Sequence, residues 1–162
     1  MASTWSNAEL RLMATGENDN TWGDQTNYNL QRIDDMVNQV VGVTLSSTSL
    51  SLTFTNDPTS YTQENGRCKI LDFTGSPGGT ATVTFPNKKM WYYVLNNTGD
   101  SNNIICTTGS GTTYTVNAGQ DAIIYVNGSN AIYNAINDLQ VNTINGQSPV
   151  GAGFVIAMSV AL

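Results

Sequence analysis

Ile123-Ile124-Tyr125-Val126-Asn127-Gly128-Ser129-Asn130-Ala131-Ile132-Tyr133 is a run of β-branched and aromatic residues, a turn dipeptide, and a second short run of the same kind. Asn-Gly between two such runs is the strongest local sign of a β-hairpin, because both residues tolerate the positive φ of a tight reversal. The same grammar repeats toward the N-terminus. Leu50, Leu52 and Phe54 alternate with Ser51, Thr53 and Thr55, and further short runs cover 68–73, 81–85, 90–95, 103–107, 113–116 and 122–126. Gly, Asn and Pro punctuate them at 75–79, 96–100 and 117–119. Many short strands separated by turn residues predict an antiparallel β-sandwich or jelly-roll-like domain over 43–138. Composition agrees: only 11% of residues are charged, against about 25% in an average globular protein, and Asn, Thr, Ser and Gly take their place.

Two zones flank this domain. Residues 1–42 read as an arm followed by a helix. The arm, 1–20, is polar, with Leu10, Leu12 and Met13 as its apolar cluster. Such a segment is disordered by default or orders against a partner. The helix is predicted over 21–41, with Thr21 and Asp24 at its start and Gly42 as its stop. Leu30, Ile33, Val37 and Val40 follow 3-4-3 spacing and share one face. That stripe fits a helix packed on its own domain, and equally the seam of a short parallel helical bundle. Residues 139–162 read as an extended tail whose end, from Gly153 through Phe154, Ile156 and Met158 to Leu162, is almost wholly apolar. Such an end needs cover, and burial between subunits is expected.

Charge and composition exclude several function classes. The net charge is −6, and Lys88-Lys89 is the sole basic pair, so there is no cationic stripe for nucleic acid. The N-terminus lacks the basic and apolar regions of a secretion signal. The apolar run 150–162 is shorter than the ~20 residues a membrane span requires, which predicts a soluble protein without membrane insertion. The chain has no histidine, so Ser-His-Asp, Cys-His and histidine-ligated metal chemistry lack their parts. No phosphate-binding loop is present. Cys68 and Cys106 sit in apolar runs and read as reduced, buried side chains, although a single bridge is compatible with the sequence.

Three groups of residues carry sharper alternatives. Glu64, Asp72, Asp100 and Asp121 are the acids from which a glycosidase pair would be drawn, but they sit largely in or beside turns and nothing pairs them. Glu17, Asn18, Asp19, Asn20 and Asp24 offer oxygen ligands without calcium-loop spacing, so capping of the arm-to-helix turn is expected and no metal or cofactor is assigned. Trp91-Tyr92-Tyr93 could stack on sugar rings. In a strand, however, Trp91, Tyr93 and Leu95 point one way and Tyr92 and Val94 the other, which favours burial in a core or a subunit interface.

The order of motifs along the chain carries a resemblance. Residues 14–23 (ATGENDNTWG) followed by Thr26-Asn27-Tyr28-Asn29-Leu30 are similar to an opening found in many phage tail and fibre proteins. The likeness continues through 68–75, 79–86 and 91–98, then 118–130, and 144–153 (INGQSPVGAG) resembles a hinge of trimeric phage fibres. After Gly153 the chain departs from that pattern, running into Phe154-Val155-Ile156 rather than a repetitive shaft.

The resemblance implies a non-enzymatic virion protein of a bacteriophage tail, made in the host cytoplasm. It would be a homotrimer that joins other tail, baseplate or fibre proteins and serves host attachment, with no catalytic residues to transfer. Residues 1–42 would attach to the virion and 139–162 would form an oligomer or fibre junction. The residues expected at assembly interfaces are Trp22, Leu30, Ile33, Val37, Val40, Trp91, Tyr93, Phe154 and Ile156. The alternative is a fibre module binding a host surface glycan, with a depolymerase third.

Overall fold

The computed structural model describes residues 3–56 and 60–136; the predicted tail over 139–162, with Phe154 and Ile156, lies outside them. In chain order the elements are β1 (Thr4–Trp5), β2 (Arg11–Leu12), α1 (Trp22–Asn38), β3 (Val40–Leu45), β4 (Ser49–Ser51), β5 (Ile70–Gly75), β6 (Ala81–Thr84), β7 (Lys89–Asn96), β8 (Ile104–Thr107), β9 (Tyr114–Val116), β10 (Asp121–Asn127) and β11 (Ile132–Asn134). The protein is mainly β with one helix, as its alternating runs require. The strands form a β1-β2 pair, a five-stranded sheet in the order β11-β10-β7-β5-β3, and a four-stranded sheet in the order β4-β6-β8-β9.

The expected antiparallel pairing is corrected in the centre of both sheets. β3, β5 and β7 run parallel, as do β4, β6 and β8. From β3 to β8 the chain alternates between the sheets, so each pass adds one strand to each. Ile70 lies opposite Tyr93 in one sheet and Ala81 opposite Ile104 in the other, a shift of twenty-three residues in both. Parallel neighbours need a long crossover, and here the visit to the other sheet supplies it. Within the two larger sheets antiparallel pairing is confined to β9 on β8 and to β10 and β11 beside β7, and the separate β1-β2 pair is antiparallel. The hairpin read from Asn127-Gly128 is present, but Asn127 ends β10 and its side-chain oxygen accepts from Ser129 N (2.7 Å) and Ala131 N (3.1 Å). Gly128 and Asn130 take the positive φ values of the turn.

Alternation builds one core from both sheets. Leu45, Leu71, Phe73, Tyr92, Val94, Ile124 and Val126 from the five-stranded sheet meet Val83, Ile104, Cys106 and Val116 from the four-stranded one. Cys68 and Cys106 are both free and buried, and burial pushes the Cys68 thiol up to about 12, with Asp35 adding to the rise. The stretch between β4 and β5 lengthens the first pass and carries a buried polar knot. Arg67, fully buried, donates from Nε to Glu64 Oε2 (2.5 Å), from Nη1 to the Ala8 carbonyl (2.6 Å) and from Nη2 to the Thr55 carbonyl. Its guanidinium also lies 4.0 Å over the Phe54 ring.

Through that knot the N-terminal arm is folded onto its own chain, contrary to the expectation of a segment that is disordered or orders against a partner. Arg11 and Asn29 exchange two hydrogen bonds, Arg11 N to Asn29 Oδ1 (3.0 Å) and Asn29 Nδ2 to the Arg11 carbonyl (2.8 Å). Glu9 pairs with Lys88. Glu17 accepts from Ser3, which lowers its pKa below the ordinary carboxylate value.

Candidate assembly surface

Helix α1 is shorter than 21–41, and it presents the opposite face from the one an amphipathic surface helix would bury. It ends at Asn38 because Val40 is already paired with Ile70 as the first residue of β3, which places Gly42 inside a strand rather than at a helix stop. Thr21 occupies the N-cap position, but its side chain makes no cap hydrogen bond and its hydroxyl donates to the Asn18 carbonyl (3.3 Å). Trp22 and Gly23, which close the 14–23 motif, open the helix itself.

The buried residues of α1 are Gln25, Arg32 and Asp35. Asp35 receives the Tyr61 hydroxyl, 3.0 Å from both carboxylate oxygens, and burial with this hydrogen bond raises the Tyr61 pKa to about 12. Arg32 lines a cavity of about 240 Å³ between the helix and Thr53, Gln63 and Glu64. On the other side of the helix, Leu30 is 57%, Ile33 40% and Val37 62% exposed. With Trp22 they fall within about 80° of helical arc, at 3.6 residues per turn. The reading in which this stripe packs on its own domain is therefore overturned among the described residues: the inner face carries Gln25, Arg32 and Asp35 with Met36 packed against the core, and the apolar stripe faces outward.

A second apolar surface covers the outside of the five-stranded sheet. Pairing aligns Val40, Ile70, Tyr93 and Ile123 in one row, and Trp91, Tyr125 and Tyr133 in the next. Trp91, Tyr125 and Tyr133 are exposed, and Tyr93 is half-buried with its hydroxyl donated to Asp121. That hydrogen bond raises the Tyr93 pKa. Burial in the core thus holds for Tyr92 and Val94 but not for Trp91 on the outer face. Lys69 covers one side of the Trp91 ring, 4.2 Å from its centroid, and donates to the Trp91 carbonyl (3.1 Å). Trp91, Ile123 and Tyr125 form an open cleft of about 590 Å³ with Asn134 and Ala135. A parallel sheet ordinarily has both faces covered, and on this face Trp91, Tyr125 and Tyr133 stay exposed among the described residues.

Of the predicted interface residues, Trp22, Leu30, Ile33, Val37, Val40 and Trp91 are exposed, Tyr93 is half-buried, and Phe154 and Ile156 lie outside the described residues. Val40, one residue beyond the helix cap, begins the outer row of the sheet and links the two surfaces in sequence. Tyr125, Tyr133 and Ile123 were missed. The signal was available, since Ile123 and Tyr125 alternate with Ile124 and Val126 and make β10 apolar on both faces, as in β7.

The candidate acids are dispersed. Glu64 is paired with Arg67 and also accepts from Thr55 N (2.6 Å). Asp100 accepts from Gly78 N (2.9 Å), which lowers its pKa. Asp72 accepts from Asn97 Nδ2 (2.8 Å). Asp72 and Asp121 flank Leu95 in register on the open face, two strand spacings or about 10 Å apart. Of the helix cavity and the sheet cleft, only the cavity beneath the helix includes any of the four, Glu64. Glu17, Asn18 and their neighbours shape the turn into α1, where Asn18 and Asn20 take positive φ. No helix among the described residues is long and apolar enough to cross a membrane.

Comparison with known proteins leaves these surfaces as the basis for function. No protein-family model matches the chain, and no curated protein or solved structure is significantly similar to it.

Proposed function

We propose that this chain is a structural component of a bacteriophage tail, a fibre or a tail/baseplate adaptor, that works by self-assembly and docking without enzymatic activity. The observation that carries the self-assembly reading is the orientation of α1. A helix that turns Gln25, Arg32, Asp35 and Met36 inward while Leu30, Ile33 and Val37 are exposed presents an apolar stripe of the kind that marks an interaction site. The 3-4 spacing suits a parallel bundle around a threefold axis, so the expected assembly is a homotrimer. The phage assignment rests on the motif resemblance, and the remaining partners would be other tail, baseplate or fibre proteins.

Mass measurement in solution with Leu30→Asp, Ile33→Asp and Val37→Asp variants tests the assembly. Each side chain is already exposed in the single chain, so circular dichroism should be unchanged while the trimer dissociates. A wild-type chain that is monomeric at micromolar concentration refutes the reading, and so does a variant that assembles normally. A second reading, a module for host surface glycans, is favoured by the exposed row Trp91, Tyr125 and Tyr133. Its weakness is the polar lining. The cleft lining of Trp91, Ile123, Tyr125, Asn134 and Ala135 offers sugar hydroxyls only the Asn134 amide and the Tyr125 hydroxyl as polar side-chain partners besides the Trp91 indole N–H. Glycan-array binding that is lost with Trp91→Ala would favour it over assembly.

A further inference from the structure

We infer that the cleft on the outer face of the five-stranded sheet is the seat of residues 153–162 of the same chain. The cleft is floored by Trp91, Ile123 and Tyr125, with Asn134 and Ala135 on its rim. Its exposed side chains are large and apolar, and they stand in register across adjacent strands β7, β10 and β11. An occupant should therefore be uncharged, extended, and large on one side only.

The sequence beyond β11 contains one stretch of that description. From Phe154 the large residues Phe154, Ile156, Met158, Val160 and Leu162 alternate with Val155, Ala157, Ser159 and Ala161, and no charge interrupts them. Period-two alternation places the five large side chains on one face of an extended segment. The smaller residues, Ala, Ser and one Val, would face outward. The path also suits an intrachain contact. Ala135 N donates to the Ile123 carbonyl (2.8 Å), so the chain departs from the cleft rim itself. Residues 137–152 form a sixteen-residue tether with Gly146, Pro149 and Gly151. A tether of that length spans at most about 55 Å when extended, ample for a return over a face that begins at its own origin. Two segments joined by a short stretch of one chain meet at an effective concentration of about a millimolar, which favours the chain's own segment over a sister's. This inference does not depend on assembly through α1, and it replaces the burial between subunits expected from sequence.

Two measurements test it. In a Trp5→Phe, Trp22→Phe background the sole tryptophan is Trp91, and acrylamide quenching reports its exposure. Quenching should rise severalfold in a chain ending at Ala152, and equally in the full-length Ile156→Asp variant, with far-UV circular dichroism unchanged. Equal quenching in the full-length and shortened chains overturns the inference. The second measurement pairs Tyr125→Cys with Ile156→Cys under mild oxidation. A disulfide within one chain, seen as a faster-migrating monomer without reductant, is the expected product. An interchain dimer, or no cross-link, overturns the assignment to the same chain.

Discussion

Replacing Arg67 by Met should be the most damaging single change in the buried polar knot, and its cost can be worked from the partners left behind. The guanidinium is inaccessible to solvent and satisfies Glu64 Oε2, the Ala8 carbonyl and the Thr55 carbonyl. Met fills much of the volume but leaves Glu64, only 7% exposed, as an unpaired buried carboxylate. Removing one member of such a pair costs about 3–5 kcal/mol, and each carbonyl that stays dry adds about 1–3 kcal/mol. The full sum will not be realised, because Ala8 lies on the arm and its carbonyl can rehydrate if the arm lifts. We expect about 4 kcal/mol, a large share of the ~5–15 kcal/mol of a typical domain. Urea denaturation should register it as a midpoint lower by about 2 M, at a slope near 2 kcal/mol/M. The double variant Arg67→Met, Glu64→Gln should recover most of the loss, because the neutral amide keeps an acceptor for Thr55 N without the stranded charge. A single-variant loss below about 1 kcal/mol, or a double variant no better than Arg67→Met, would refute this account of the knot.

Two further outcomes follow from geometry. Tyr61 has a folded pKa raised to about 12 from 10.0, so its contribution is complete below pH 10 and is lost as pH rises through 12, when a phenolate would face Asp35. Stability measured by urea denaturation should fall over that window, and Tyr61→Phe should remove the part of the fall due to this residue. Gly111, at φ +74, has the Asn130 carbonyl oxygen 1.9 Å from where a Cβ would sit; Gly111→Ala should lower stability by about 2 kcal/mol or more, measured by thermal unfolding.

Strand content was legible from single segments. Leu71 and Phe73 against Asp72, or Tyr92 and Val94 against Trp91 and Tyr93, write the pleat directly into the residue order, and low charge with Gly and Asn turns marks where each strand ends. The direction of pairing was not legible. A strand's two-residue period is identical in parallel and antiparallel sheets, so Ile70 carries no local sign that its neighbour is Tyr93 rather than a residue across a hairpin. That choice belongs to the passage through the second sheet, a contact between distant residues. Only where strands join through a tight turn, as at Asn127-Gly128, did local chemistry also fix the direction.

The assembly surface divides along the same line. Spacing alone shows that Leu30, Ile33 and Val37 share a stripe, and that β7 is apolar on both faces. Neither fact says which side its own chain covers. The tertiary structure decided it by supplying Tyr61 for Asp35, placing Arg32 beside Thr53, Gln63 and Glu64 and packing Met36 against the core, which leaves the apolar stripe exposed among the described residues. Hydrophobic periodicity identifies a face; what that face meets depends on partners far away in sequence, or on another chain.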